Sequence, residues 1–328
     1  MISRTVRAAG TTAIAAIALA GCVSDVPAPV TSAPPLEASG ALLDAQSARI
    51  IEETMAELGE ADDARDTELM TDRVGGDVIT IRRAEYTLAE ADDGPAPTML
   101  PAEMQAVYVS AAETWPRTMA TVSVQPSDED TPIVMLWVQE SIDDDYQLRE
   151  WAHMIPGATL PAMPGPSTGA GQLALDDSSI TPTAQETIEQ YVELLIAGEG
   201  SERDEEFAPD TYRERLFAAR QTYVDAASEA DGEYVETVEP DLEASYAMAT
   251  ADGGALVFAP LSIGSSFTVE DATVSIAEED EPLLDGELDD TVTHTYRDFI
   301  VIHVPAEGAD ALPGVVAAEH NLIRVSDS

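Results

Sequence analysis

The sequence predicts an α+β protein of two tandem roll-like domains, each with N-terminal helices packed on a curved antiparallel sheet. Three observations predict it. Apolar residues recur at helical intervals from Ala41 and again from about Ser179. After each helical run the period switches to two, with turn residues between the segments. A Pro- and Gly-dense break, Leu160 to Gln172, separates the two runs. Helices gathered on one face of an antiparallel sheet are the α+β arrangement, and 328 residues suit two domains of ordinary size. The boundaries read as 1–21 signal peptide, 22–40 tether, 41–160 first domain, 161–178 linker and 179–328 second domain.

The chain opens with Arg4 and Arg7 ahead of an almost wholly apolar run, Ala8 to Ala20. That run is too short to span a bilayer and fits a secretory signal. It closes on Leu19-Ala20-Gly21-Cys22, the form of a bacterial lipobox, with Cys22 the single cysteine of the chain. In lipobox chemistry the Cys22 thiol takes a diacylglyceryl group, a dedicated peptidase cuts before it, and the new amine is open to acylation. Ala18-Leu19-Ala20 also satisfies an ordinary A-x-A cleavage site, which would release a soluble protein. The lipoprotein reading accounts for the cysteine; the alternative leaves a lone thiol unexplained. Two or three acyl chains hold a protein stably where one would not. The expected location is the outer face of the cell membrane.

Val23 to Gly40 is rich in Pro, Ala and Ser without helical or strand period, and reads as an extended tether reaching about 50 Å at ~3.1 Å per residue. From Ala41, Leu43, Ile50, Ile51, Met55 and Leu58 give one helical face, with Gly59 as the expected stop. Asp62 to Asp72 reads as the start of a second helix broken near Gly75-Gly76, and Asp77 to Ala91 as a further helix. Strands are expected at Ala106–Val109, Met119–Gln125, Ile133–Glu140 and Tyr146–Met154, with Asp143 to Asp145 at a hairpin tip. Past the break, Ser179 or Thr181 caps a helix that contains Pro182 near its start and buries Ile188, Tyr191, Val192 and Leu195. Asp210 to Ser228 forms another helix. Strands follow at Leu242–Ala249, Ala255–Leu261, Phe267–Ile276, Thr293–Val304 and Val316–Val325, with a tight turn at Ala251 to Gly254.

These stretches also carry a resemblance. The lipobox, Trp115-Pro116-Arg117, TADGGALVFAPL (250–261), RDFIVIHVP (297–305) and AAEHNLIRV (317–325) resemble a family of actinobacterial lipoproteins with no assigned function. The halves are similar to the cone-shaped roll of the nuclear-transport-factor-2-like superfamily. The resemblance implies no catalytic residues.

Composition removes several function classes. A formal charge of −48 repels phosphate backbones, so nucleic acid is excluded as a partner. All 15 basic residues are arginine, which removes Schiff-base, P-loop and Ser-x-x-Lys chemistry. With Cys22 lipidated there is no thiolate nucleophile or cysteine metal site, and no motif calls for a cofactor or a metal. The acidic runs at 127–130, 278–281 and 287–290 fall in expected loops and read as solvated.

Four histidines remain: His153, His294, His303 and His320. Strand alternation puts His294, Tyr296 and Asp298 on one face with Ile300 and Ile302, and His303 on the other. Tyr296 and Asp298 are the candidate pocket residues, since a Tyr and an Asp in an apolar pocket suit proton transfer. His303 and His320 are expected to approach across the last hairpin, with Glu319 facing away from His320. Gly165-Pro166-Ser167-Thr168-Gly169 has the letters of a nucleophile elbow but lies in a linker without the strand and helix the elbow needs. Trp115, Trp137 and Trp151 read as packing residues. The function expected is a membrane-tethered binding or assembly module of the cell envelope with an envelope protein as partner. The alternative is an isomerase-like or hydrolase-like enzyme in the second half.

Overall fold

The computed structural model describes residues 39–92, 94–127, 130–269 and 273–327. Leu19, Ala20, Gly21, Cys22 and nearly all of the tether lie outside the described residues, as do Asp128 and Glu129 of one acidic run. Among the described residues no helix is long and apolar enough to cross a membrane.

Helix α1 (Asp44–Ala64) buries Ile50, Ile51, Thr54, Leu58 and Ala61. It runs straight through Gly59, where the sequence suggested a stop. That glycine is exposed and negative in φ, while Leu58 and Ala61 continue the buried stripe, so nothing there demands a turn. The helix ends instead with Arg65 in the left-handed region at φ 51°. The expected second helix over 62–72 is therefore the tail of α1 plus one 3-10 turn, Thr67–Leu69, capped by the Asp66 carboxylate. Helix α2 (Asp77–Glu90) turns Val78, Ile81, Tyr86 and Ala89 inward. Strands β1 (Met104–Val109), β2 (Arg117–Ser123), β3 (Ile133–Gln139) and β4 (Gln147–Met154) form an antiparallel meander beneath these helices. Trp137 ties the layers together by donating its indole N–H to Thr54 Oγ1 at 3.2 Å.

The second half repeats the order. After a two-residue strand β5 (Gln172–Leu173), helix α3 (Ala184–Ala197) is capped by Thr183 rather than Ser179 or Thr181. Thr183 Oγ1 accepts the Glu186 N–H at 3.1 Å while the Glu186 carboxylate accepts the Thr183 N–H at 2.9 Å, a reciprocal capping box. Helix α4 (Thr211–Glu229) is capped by Asp210, which accepts the Arg213 N–H at 2.8 Å. Strands β6 (Glu233–Pro240), β7 (Tyr246–Ala249), β8 (Ala255–Thr268), β9 (Leu284–Asp285), β10 (Thr291–Val304) and β11 (Gly314–Ser326) complete the chain. The sequence did not suggest β6, which buries only Val238. It also divided β8 near Gly264-Ser265-Ser266. The strand is continuous because these residues pair with β10 on one side and β6 on the other.

The class is mixed α+β, and among the described residues eleven strands join in one sheet, ordered β1-β2-β3-β4-β11-β10-β8-β7-β5. Strand β6 also lies on β8, and the short β9 runs parallel to β11. The halves meet edge to edge through only two residue pairs, Met154 with Ala317 and His153 with Ala318. They also share a core. One apolar cluster lies under α1 and α2, and a second under α3. A third joins Leu136, Val138 and Ala152 to Phe258, Phe299 and Val301. Each fully buried aromatic of this kind contributes about 1.5–3 kcal/mol relative to exposure.

Candidate functional site

The short β4–β11 junction positions the candidate site. Two pairs hold the strands together and the ladder then ends, leaving side chains of both halves around one cleft of about 600 Å³. Its chemistry comes from His153 on β4, Tyr212 and Arg215 on α4, and Glu319 and His320 on β11, with Asp130 at one end.

Asp298 anchors the site from below. It shares the inward face of β10 with Ile300 and Ile302, as alternation implied, and its carboxylate is buried. The β10–β11 register places His320 directly opposite. The His320 Nδ1 lies 2.8 and 2.9 Å from the two Asp298 oxygens, and Tyr212 donates its O–H to Asp298 Oδ2 at 2.5 Å. Burial pushes the Asp298 carboxyl above the usual carboxylate range, with the hydrogen bonds from His320 and Tyr212 pulling the other way. Burial likewise pushes the Tyr212 phenol far above its ordinary value, keeping it a donor. Tyr296 is outside this hydrogen-bonded chain. Its ring stacks on His320 with centroids 4.1 Å apart and planes 17° apart, so it fixes the imidazole rather than sharing its proton.

A second pair stands beside the first. His153 Nδ1 lies 2.6 Å from Glu319 Oε2, and the hydrogen bond to Glu319 raises the imidazole above its ordinary pKa against the opposing effect of burial. The Trp151 ring meets the His153 ring edge-on at 5.8 Å. Glu319 does not face away from this site as alternation suggested. Beyond the last β4–β11 pair its carboxylate reaches across to β4, so Glu319 and His320 both line the cleft. Arg215 is exposed on the cleft wall and forms no ion pair or hydrogen bond with any described residue.

Residues 38–324 match the family model of the domain of unknown function DUF8094. The chain belongs to that family. No curated protein and no solved structure matches it. Every cleft residue of this DUF8094 domain falls inside the matched span, and Cys22 falls outside it.

The other sequence candidates separate from the cleft. His303 stands opposite Gly314 and Leu256, so the last hairpin does not bring it to His320. His294 lies 3.6 Å from Asp280, and burial lowers its pKa. Ser167 is exposed in a linker turn where its carbonyl accepts the Gly40 N–H at 3.3 Å, with neither a strand before it nor a helix after. Trp137 and Trp151 are core residues, while Trp115 is partly exposed under the Arg117 guanidinium, 4.1 Å above its ring. No group of three or more metal-ligating side chains occurs among the described residues. Sequence reading missed His153, Tyr212 and Arg215, which no short motif connects. The one local signal was the adjacent Glu319-His320 pair.

Proposed function

We propose that this DUF8094 member is an actinobacterial-type lipoprotein, tethered to the outer membrane face through Cys22, whose body binds a small anionic ligand in the cleft between its halves. On this reading the halves are two roll-like α+β units brought together to wall a shared groove, and an envelope protein that uses the ligand is the expected partner. The observation that carries it is Arg215. It is a guanidinium left unpaired on the wall of a groove that also holds His153, held toward its cationic form by Glu319. The chain's overall charge of −48 opposes anions at long range. Screening confines that opposition to about 8–10 Å at physiological salt, so groups inside the cleft decide capture at contact.

Calorimetric titration of the purified chain with succinate, glutarate, citrate and inorganic phosphate tests the ligand class. At least one should bind saturably, and Arg215→Ala should weaken it about tenfold, as for loss of a charge-assisted hydrogen bond. No saturable binding across that panel refutes the assignment. The anchor has its own test: Cys22→Ala should abolish lipid labelling and release the protein to the medium.

A further inference from the structure

We infer that the cleft is also catalytic, hydrolysing an ester that carries an anionic group, with His320 as general base and Asp298 as its positioning residue. This rests on the cleft being the ligand site. Asp298 receives His320 Nδ1 at 2.8 Å and Tyr212 at 2.5 Å, so the imidazole is held with its Nδ1 side toward the interior. Nε2 on the far side of the ring has no hydrogen-bond partner among the described residues, and the ring is one-third exposed and lines the cleft. The Tyr296 stack fixes the ring plane. An imidazole whose Nδ1–H is held by a buried carboxylate presents a free Nε2 lone pair, the tautomer a general base requires.

The surroundings select the reaction. Asp298 is buried and does not line the cleft, and the Tyr212 hydroxyl is already donated to it, so neither is free to act as an isomerase base or acid. Hydroxyls on the cleft wall are occupied too: Thr131 donates to the Met154 carbonyl at 2.7 Å and Tyr212 to Asp298. With no serine or cysteine among the residues lining it, the cleft offers no nucleophile for an acyl-enzyme. Water is the nucleophile that remains.

His320 Nε2 takes a proton from water as the water oxygen bonds to the ester carbonyl carbon, and the carbonyl π pair moves onto its oxygen. The resulting tetrahedral oxyanion is stabilised by His153, which the Glu319 carboxylate at 2.6 Å holds toward its cationic form. Collapse re-forms the carbonyl and breaks the carbon–oxygen bond to the leaving group. That group departs with the proton held on His320, and one ester and one water become one acid and one alcohol. Arg215 holds the anionic tail. The remaining charged groups lining the cleft are the Asp130 and Glu319 carboxylates, which oppose the oxyanion that His153 stabilises.

The probe is mono-p-nitrophenyl glutarate, compared with neutral p-nitrophenyl acetate. His320→Gln, at a partly exposed position that tolerates exchange, should lower kcat on the glutarate ester about 100-fold or more. Asp298→Asn should lower kcat with less change in KM and shift its pH profile, and histidine side-chain nitrogen spectra should show the Nδ1–H tautomer of His320 lost. Arg215→Ala should raise KM for the charged ester alone. Equal rates for wild type and His320→Gln would overturn the catalytic assignment. If glutarate still binds by calorimetry in that case, the ligand site stands without catalysis. If none of the four anions binds, both readings fall.

Discussion

The two histidine–carboxylate pairs of the cleft are built from neighbouring residues of one strand, yet they differ in kind. Each joins an imidazole Nδ1 to a carboxylate at 2.6–2.8 Å, and each ring rests on an aromatic, Tyr296 for His320 and Trp151 for His153. The carboxylates differ. The Asp298 side chain is 0% exposed and shared with Tyr212, whereas that of Glu319 is 19% exposed. A buried charge cannot lose a partner cheaply, because nothing replaces the missing hydrogen bond. A charge at the rim is re-solvated by water. The first pair is therefore a fixed frame and the second an adjustable one.

Removing each carboxylate is the strongest way to break this comparison. Asp298→Ala strands the Tyr212 hydroxyl and the His320 Nδ1 and should cost about 3–5 kcal/mol. Glu319→Ala should cost less than ~1 kcal/mol, as for exposed pairs. Urea unfolding of both variants checks this, and equal losses would mean that burial does not distinguish the pairs. A smaller change sharpens the point. Tyr212→Phe keeps the ring packed and deletes one donor to Asp298, so it should cost about 1–2 kcal/mol. A loss near zero would show that His320 alone satisfies Asp298.

The sequence made the frame partly legible. Alternation along β10 placed Asp298 with Ile300 and Ile302 on the inward face, because a buried strand has a period that residue types reveal. The α+β class followed from the same switch of period. Register was not legible. That His320 meets Asp298 rather than His303 depends on how β10 and β11 align, including shifts at Thr295/Tyr296 and Val301/Ile302 that leave no mark in composition. The second pair was less visible still. His153 and Glu319 are 166 positions apart and meet only because β4 and β11 touch through two residues before separating. Tyr212 stayed hidden within α4, since helical periodicity says which face is buried and not which acceptor waits there. Gly59 misled because a glycine permits a helix end without requiring one.

The smallest effect tests the adjustable pair through pH. The His153 pKa is raised in the fold, first by the Glu319 hydrogen bond. A raised histidine contributes stability that is fully present below its unfolded value, about 6.5, and is lost as pH rises through the folded value. Other groups confuse the absolute slope. His294 and His303 are lowered by burial, so their contributions grow as pH rises through the same region. Asp298 is raised, so its window opens near pH 4 and runs downhill from there as pH rises. Comparing wild type with Glu319→Gln cancels the His294 and His303 contributions and leaves only the small part of the Asp298 contribution that Glu319 itself supplies. The stability advantage of wild type should shrink as pH rises from 6 to 9, by less than ~1 kcal/mol because both partners are partly exposed. A difference independent of pH would mean that His153 draws no charge stabilisation from Glu319. The cleft would then lose the cation that distinguishes its second pair from its first.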